Sequence, residues 1–395
     1  MSALSSGQSL LARRLTGAVA ALLLFIPAAH AKNPYGIPDD VDAGLRQGFQ
    51  DLFNLDFDKA DAEIQALQGH ASAHPMVALA AAVVPWWKLT VGVLERDSEA
   101  SKPFETAGAR CLAISQRRLQ QDRLGEASVA MGTMLGLMSR WSAANRAWLA
   151  AYSRGNKSVA HLNAALKQNP GAADAYMTLG TFNYARALLN KWMGGKSVSG
   201  EDKAQVQGLQ QLRRAYAEAP YFRQASGVLL AGILGNEEPA AAVTVLRQLR
   251  VELPRSAFVH MVLVTALYNA GASVDLETEA DALEKNVDKG IYQKSIAPQA
   301  NFAQALVLFR KAKWRPAAKA FGEAVESGTE ANPYTTWAIL YQGYCYDASG
   351  HRDKAVENYR RVLALKPRFA SHERAREHID KPFTREAPEL RKLEL

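Results

Sequence analysis

The sequence predicts an all-α protein built as a solenoid of helical hairpins. Three observations carry this. Apolar residues recur at helical spacing nearly throughout, with few β-branched runs between turn signals. Residues 32–395 exceed the ~250–300 residues at which a single core stops growing, yet no Pro/Gly/Ser-rich linker divides them. Small, aromatic and proline residues also return at a fixed interval.

The first segment, MSALSSGQSLLARRLTGAVAALLLFIPAAHA, stands apart from that pattern. Arg13 and Arg14 form a positive start, Gly17 to Ala29 a short apolar run, and Ala29-His30-Ala31 a small-x-small cleavage site. These are the parts of a secretory signal peptide. The apolar run is shorter than the ~20 residues that span a bilayer, and no cysteine follows the cleavage site to carry a lipid. The expected mature protein starts at Lys32, is periplasmic or secreted, and is bacterial by the shortness of its signal.

The repeat shows best in 343–367, GYCYDASGHRDKAVENYRRVLALKP. From Gly343, the residues Tyr346, Gly350, Ala355, Tyr359, Val362 and Pro367 lie at offsets 3, 7, 12, 16, 19 and 24. Gly343 and Ala355 are small where two antiparallel helices approach closely. Tyr346 and Tyr359 fill the space between helices. Gly350 reaches the positive φ of the turn, and Pro367 ends the second helix. Pro220 and Pro254, like Pro333 and Pro367, are 34 residues apart. Ala317, Phe321 and Ala324 repeat the second-helix spacing. Tyr176, Leu179 and Gly180 open another unit, as do Gly48, Ala60, Ile64 and Leu67 near the start. A further first helix runs from Ala257 to Ala270 and is closed by Gly271.

This pattern resembles the tetratricopeptide repeat, a 34-residue helix–turn–helix unit. The resemblance covers most of 32–395 and is weakest over 76–150, where Pro85 is expected to kink or end a helix before Trp86-Trp87. The expected organisation is a signal peptide at 1–31, an N-terminal helical array at 32–190 and an inserted loop at 191–203. A C-terminal array follows at 204–368, with a capping helix and charged tail at 369–395.

The resemblance implies a concave groove, lined by first helices, that holds a peptide or protein. Side chains at offsets −6, −3, +1 and +4 from the small first-helix residue would face it. From Gly343 these are Trp337, Leu340, Tyr344 and Asp347. From Gly180 they are Asp174, Met177, Thr181 and Tyr184. The candidate partner-binding residues are therefore Trp337, Tyr344, Asp347, Asp174 and Tyr184, which supply aromatic anchors and hydrogen-bonding groups. The alternative packs Trp337 and Tyr184 against neighbouring repeats as core.

Other function classes find little support. The formal net charge is +8, and about +6 once Arg13 and Arg14 leave with the signal. Basic residues are interspersed with acids, which speaks against a nucleic-acid face. Cys111 and Cys345 read as two small buried hydrophobes rather than a disulfide framework. His70 and His74 have the spacing of zinc ligands but sit in HASAHP, a turn sequence with no third ligand. His161, His260, His372 and His378 form no catalytic motif. Gly195-Lys196-Ser197 lacks the earlier glycine of a phosphate loop, since Asn190 stands there. No catalytic residue, metal or cofactor is expected. The expected function is a non-enzymatic protein- or peptide-binding scaffold of the bacterial cell envelope. A small-molecule-binding accessory protein of solute uptake is the alternative, with Trp86, Trp87 and the divergent 76–150 region as candidate pocket walls.

Overall fold

A computed structural model of the protein describes residues 33–91, 98–192, 203–330, 332–368, 370–387, 390, 392 and 393. The signal-peptide segment and most of the 191–203 insertion lie outside them. Every described helix belongs to one compact unit, 34–395.

The described residues form seventeen α-helices and no strand. Nine belong to one row: α1 (Asp39–Phe53), α3 (Pro75–Val91), α5 (Glu126–Ala144), α7 (Ala175–Trp192), α9 (Arg223–Glu237), α11 (Ala257–Ala270), α13 (Ala297–Arg310), α15 (Pro333–Ala348) and α17 (Ser371–Asp380). Eight alternate with them: α2 (Phe57–His70), α4 (Ser98–Arg118), α6 (Trp148–Gln168), α8 (Lys203–Glu218), α10 (Pro239–Glu252), α12 (Ser273–Asp288), α14 (Trp314–Glu326) and α16 (Arg352–Ala364). Each helix packs on the next. Odd-numbered helices also pack on the next odd-numbered helix, whereas even-numbered ones make no comparable contact with one another. The odd helices are therefore the inner row of a helical-hairpin solenoid.

Composition explains the rows. Inner α3 (PMVALAAAVVPWWKLTV) and α11 (AFVHMVLVTALYNA) are apolar on nearly all sides, as fully surrounded helices must be. Outer α8 buries Gly208, Leu212 and Ala215, and outer α16 buries Ala355, Asn358, Tyr359 and Val362, each a single stripe. The fit between rows is tight where glycines meet. A Cβ on Gly343 would lie 2.5 Å from the Tyr359 ring, and one on Gly180 would lie 2.7 Å from the Gly208 carbonyl oxygen.

The inner-to-outer turn recurs with one left-handed residue. Gly271 (φ 71°) and Gly350 (φ 82°) take it after α11 and α15, while Leu55 (φ 67°), Arg146 (φ 60°) and Ala312 (φ 54°) take it after α1, α5 and α13. Three copies thus carry a side chain where glycine is easier. Helix α11 begins at Ala257 and closes at Gly271, as its sequence indicates. Helix α3, however, runs unbroken through Pro85, so the expected end before Trp86 does not occur. Burial of the flanking Val83, Val84, Trp86 and Trp87 outweighs one lost helical hydrogen bond. Helices α7 and α8 pair across the insertion, so the two arrays expected from the sequence pack as one unit.

Two segments tie distant hairpins together. At the start, Asn169 Nδ2 donates to the Pro34 carbonyl at 2.9 Å and Tyr35 Oη donates to Asp174 at 2.9 Å. Helix α1 then lies against the turns before α9 and α11. Gln50 donates to the Glu252 carbonyl at 2.9 Å, Arg255 N–H donates to Asn54 Oδ1 at 3.0 Å, and Asp56 pairs with Arg255. Phe49 packs edge-on to Phe222 with ring centroids 5.1 Å apart. At the end, the Phe383 ring stacks on Tyr344 at 4.6 Å. Tyr268 and Arg310 donate to the Leu390 carbonyl, and Leu393 N–H donates to Asn269. We call these segments, 34–56 and 381–393, the N-terminal and C-terminal straps.

Candidate ligand cavity

Between the straps the inner face keeps a cavity of about 900 Å³. Its walls come from α9, α11, α13 and α15, closed by Leu55, Thr90 and Val91 on one side and by Pro367, Arg368, Lys392 and Leu393 on another. Phe258, Met261 and Val262 of α11 give it an apolar body.

Helix α9 supplies the most telling wall. Gly232 and Gly235 stand one turn apart in AGILGNE, inside the helix, where glycine costs about 0.5–1 kcal/mol relative to alanine. Most other described helical glycines let neighbours approach, Gly69 near the exposed end of α2 being an exception. These two do the opposite, since a Cβ on either would meet no atom within 4 Å. They keep open space beside the cavity.

Helix α15 supplies the polar features. Tyr334 and Trp337, one turn apart, both line the cavity. Trp337 is 3% exposed, and its indole N–H has no hydrogen-bond partner among the described residues. Burial pushes the Tyr334 hydroxyl well above its ordinary range, as expected for a phenol whose charged form would be poorly solvated.

The sequence-derived site residues scatter between this cavity and the straps. Trp337 lines the cavity. Tyr344 is fully buried under Phe383 and within 4.9 Å of the His378 ring. The Asp347 carboxylate, 1% exposed, pairs with Arg352 and accepts from Tyr359 Oη at 2.8 Å and Phe383 N–H at 2.9 Å. Asp174, fully buried, accepts from Tyr35 and from the backbone N–H groups of Tyr221 (3.1 Å) and Phe222 (2.9 Å). Half-buried Tyr184 donates to Glu237 at 2.8 Å. The stripe does not lie along one open face: Trp337 lines the cavity, while the Asp347 carboxylate meets Arg352 and Tyr359 of the paired outer helix α16. The chain's own straps already cover Asp174, Tyr344 and Asp347.

The trailing candidates settle similarly. Trp86 packs on Phe104 and Trp87 on Phe53 and Phe258, so both fill core; only Thr90 and Val91, at the end of their helix, reach the cavity. His70 and His74 diverge. His70 faces Asp40, and His74 faces Glu126 at 3.5 Å, with burial pulling the His74 ring down to about 4. Buried His260 is held between Tyr292 Oη (2.9 Å) and Glu279 (3.0 Å), and burial lowers its pKa. Cys111 and Cys345 are buried free thiols, burial pushing Cys111 up to about 12. Among the described residues no three His, Cys, Asp or Glu side chains converge as metal ligands, and no helix is long and apolar enough to cross a membrane. Three exposed apolar side chains, Trp148, Leu149 and Tyr152, lie together at the start of outer helix α6.

Sequence reasoning missed Gly232, Gly235, Tyr334 and Lys392. The paired glycines were a visible signal, because nothing in a helix interior asks for them.

No family model and no curated protein matches this chain. Among solved structures, one similar chain is a monomeric mutant of IFIT1 with Gppp-AAAA. It is 15% identical, with 84% of this chain and 75% of that chain covered, at a TM-score of 0.40. The fold of the present chain rests on its own helix packing.

Proposed function

We propose that this protein is a non-enzymatic binding protein whose inner-face cavity holds a ligand of a few hundred daltons. The observation that carries this is the cavity itself, about 900 Å³ on the inner face, to whose wall exposed Gly232 and half-buried Gly235 add no side chain. Its volume of about 900 Å³ falls in the range of ligand pockets, ~300–1,000 Å³. Its lining joins an apolar body to a few polar groups, which is how such pockets fix orientation. An extended protein segment lying along the inner face fits less well, because the straps occupy that face at Asp174, Tyr344 and Asp347.

The setting we propose is the bacterial cell envelope, supported by the signal-peptide pattern of residues 1–31. Amino-terminal sequencing of the exported protein should then read from Lys32. Recovery of the intact start from the cytoplasm would oppose that setting.

The binding reading is tested by a thermal-shift screen of small molecules and short peptides against the wild type and Gly235→Phe. The added ring enters open space, so the variant should fold while losing its hits. Hits equally strong in the variant, or none in the wild type, would count against the cavity.

A further inference from the structure

We infer that the cavity selects an amphiphilic organic anion, an apolar body carrying a carboxylate or phosphate group. This rests on the cavity being the binding site.

The polar groups of the lining are unbalanced. Among its described residues there is no Asp or Glu, but there are two cations, Arg368 and Lys392. They come from the two C-terminal segments that close the cavity, the stretch after α16 and the strap. Lys392 is exposed and has no ion-pair partner among the described residues. Arg368 is 6% exposed and already has partners, so it offers no vacant donor and its charge is not counted toward the ligand.

The neutral groups lean the same way. The Trp337 indole can only donate, and it is buried without an acceptor. A buried donor left unmade is expensive, and a ligand acceptor removes that cost. The Tyr334 hydroxyl, one turn away, makes no hydrogen bond to the described residues and can also donate. By contrast, the Thr90 and Thr265 hydroxyls are spent on the Trp86 and Met261 carbonyls of their own helices. What remains for a ligand is the Trp337 donor and the Lys392 charge around an apolar body, beside the Tyr334 hydroxyl and the Asn236 amide, which can donate or accept. A cationic ligand would find no counter-ion among the described lining residues, and a purely apolar one would leave the Trp337 N–H unmet.

Isothermal titration of the exported protein with four probes sharing one chain tests this: dodecanoate, dodecyl phosphate, dodecanol and dodecyltrimethylammonium at low micromolar concentration. The anions should bind about tenfold or more tighter than the alcohol, and the ammonium should bind weakest. Lys392→Glu changes an exposed side chain and should remove most of the anion preference while sparing dodecanol. Trp337→Phe keeps the ring, loses the N–H and should weaken the anions alone. Gly235→Phe should abolish every signal. Preference between carboxylate and phosphate names the head group.

Dodecanol binding as tightly as dodecanoate, or anion affinity unmoved by Lys392→Glu, overturns the inference and leaves the cavity standing as an apolar site. Binding of no probe, or binding untouched by Gly235→Phe, overturns both the inference and the cavity reading beneath it.

Discussion

Asp174 shows how one side chain joins three parts of the chain. It is fully buried, and burial raises its carboxyl to about 6 despite four interactions that favour the charged form: two backbone N–H bonds, the Tyr35 hydroxyl and the nearby Arg46. An unfolded Asp titrates near ~3.9. The folded protein therefore binds the proton more tightly between those values. The stability this gives is fully present below about pH 4 and is lost as pH rises through about 6. Asp174→Asn keeps an acceptor for the Tyr221 and Phe222 N–H groups without the buried charge. The wild-type stability, measured against Asp174→Asn by denaturant titration, should fall by on the order of 2 kcal/mol from pH 4 to pH 7. A difference that is flat over that interval would show that the carboxylate is ionised throughout without cost.

At the scale of a helix, glycine serves opposite ends. Gly180 and Gly208 face each other across α7 and α8, and a Cβ on either meets backbone at 2.7 Å. Backbone cannot rotate aside, so Gly180→Ala should destabilise by about 1–3 kcal/mol through overpacking. Gly232 has empty space beside it, so Gly232→Ala should stabilise by about 0.5–1 kcal/mol by the ordinary helix preference. Thermal unfolding of the two variants side by side should move Tm in opposite directions. A shift of the same sign in both would mean that helix preference alone governs these positions. The open-space glycines are conspicuous in the sequence for that reason: the helix gains nothing from them, so their purpose lies outside the helix.

At the scale of the molecule, the straps change how an array of repeats holds together. In an open array each hairpin answers mainly to its neighbours. Here Phe49 of the first hairpin packs on Phe222 at the entry to the fifth, and Asn54 and Asp56 hold Arg255 at the entry to the sixth. Phe49→Ala should cost about 3–5 kcal/mol, the usual penalty for an emptied aromatic core site. Its reach is the sharper test. Amide hydrogen exchange should accelerate over 220–237 as well as 39–53, because the first hairpin covers the turn before α9. Acceleration confined to 39–53 would show that the strap adds no long-range cooperativity.

The helices, their pairing and their turns were legible because each depends on residues close in sequence. Periodicity places α11 and α15, and Gly271 and Gly350 mark their turns. The same spacing predicts a stripe of Asp174, Trp337, Tyr344 and Asp347, of which Trp337 lines the cavity. What covers that stripe was not legible. Tyr35 meets Asp174 across 139 positions, and Gln50 meets the Glu252 carbonyl across 202. No local pattern encodes a contact at that separation, because it depends on the summed curvature of every hairpin between. The sequence by itself thus determined an all-α array of paired helices. Only the tertiary structure decided that the straps cover Asp174, Tyr344 and Asp347 beside a cavity, since curvature and reach belong to the folded array and not to any one repeat.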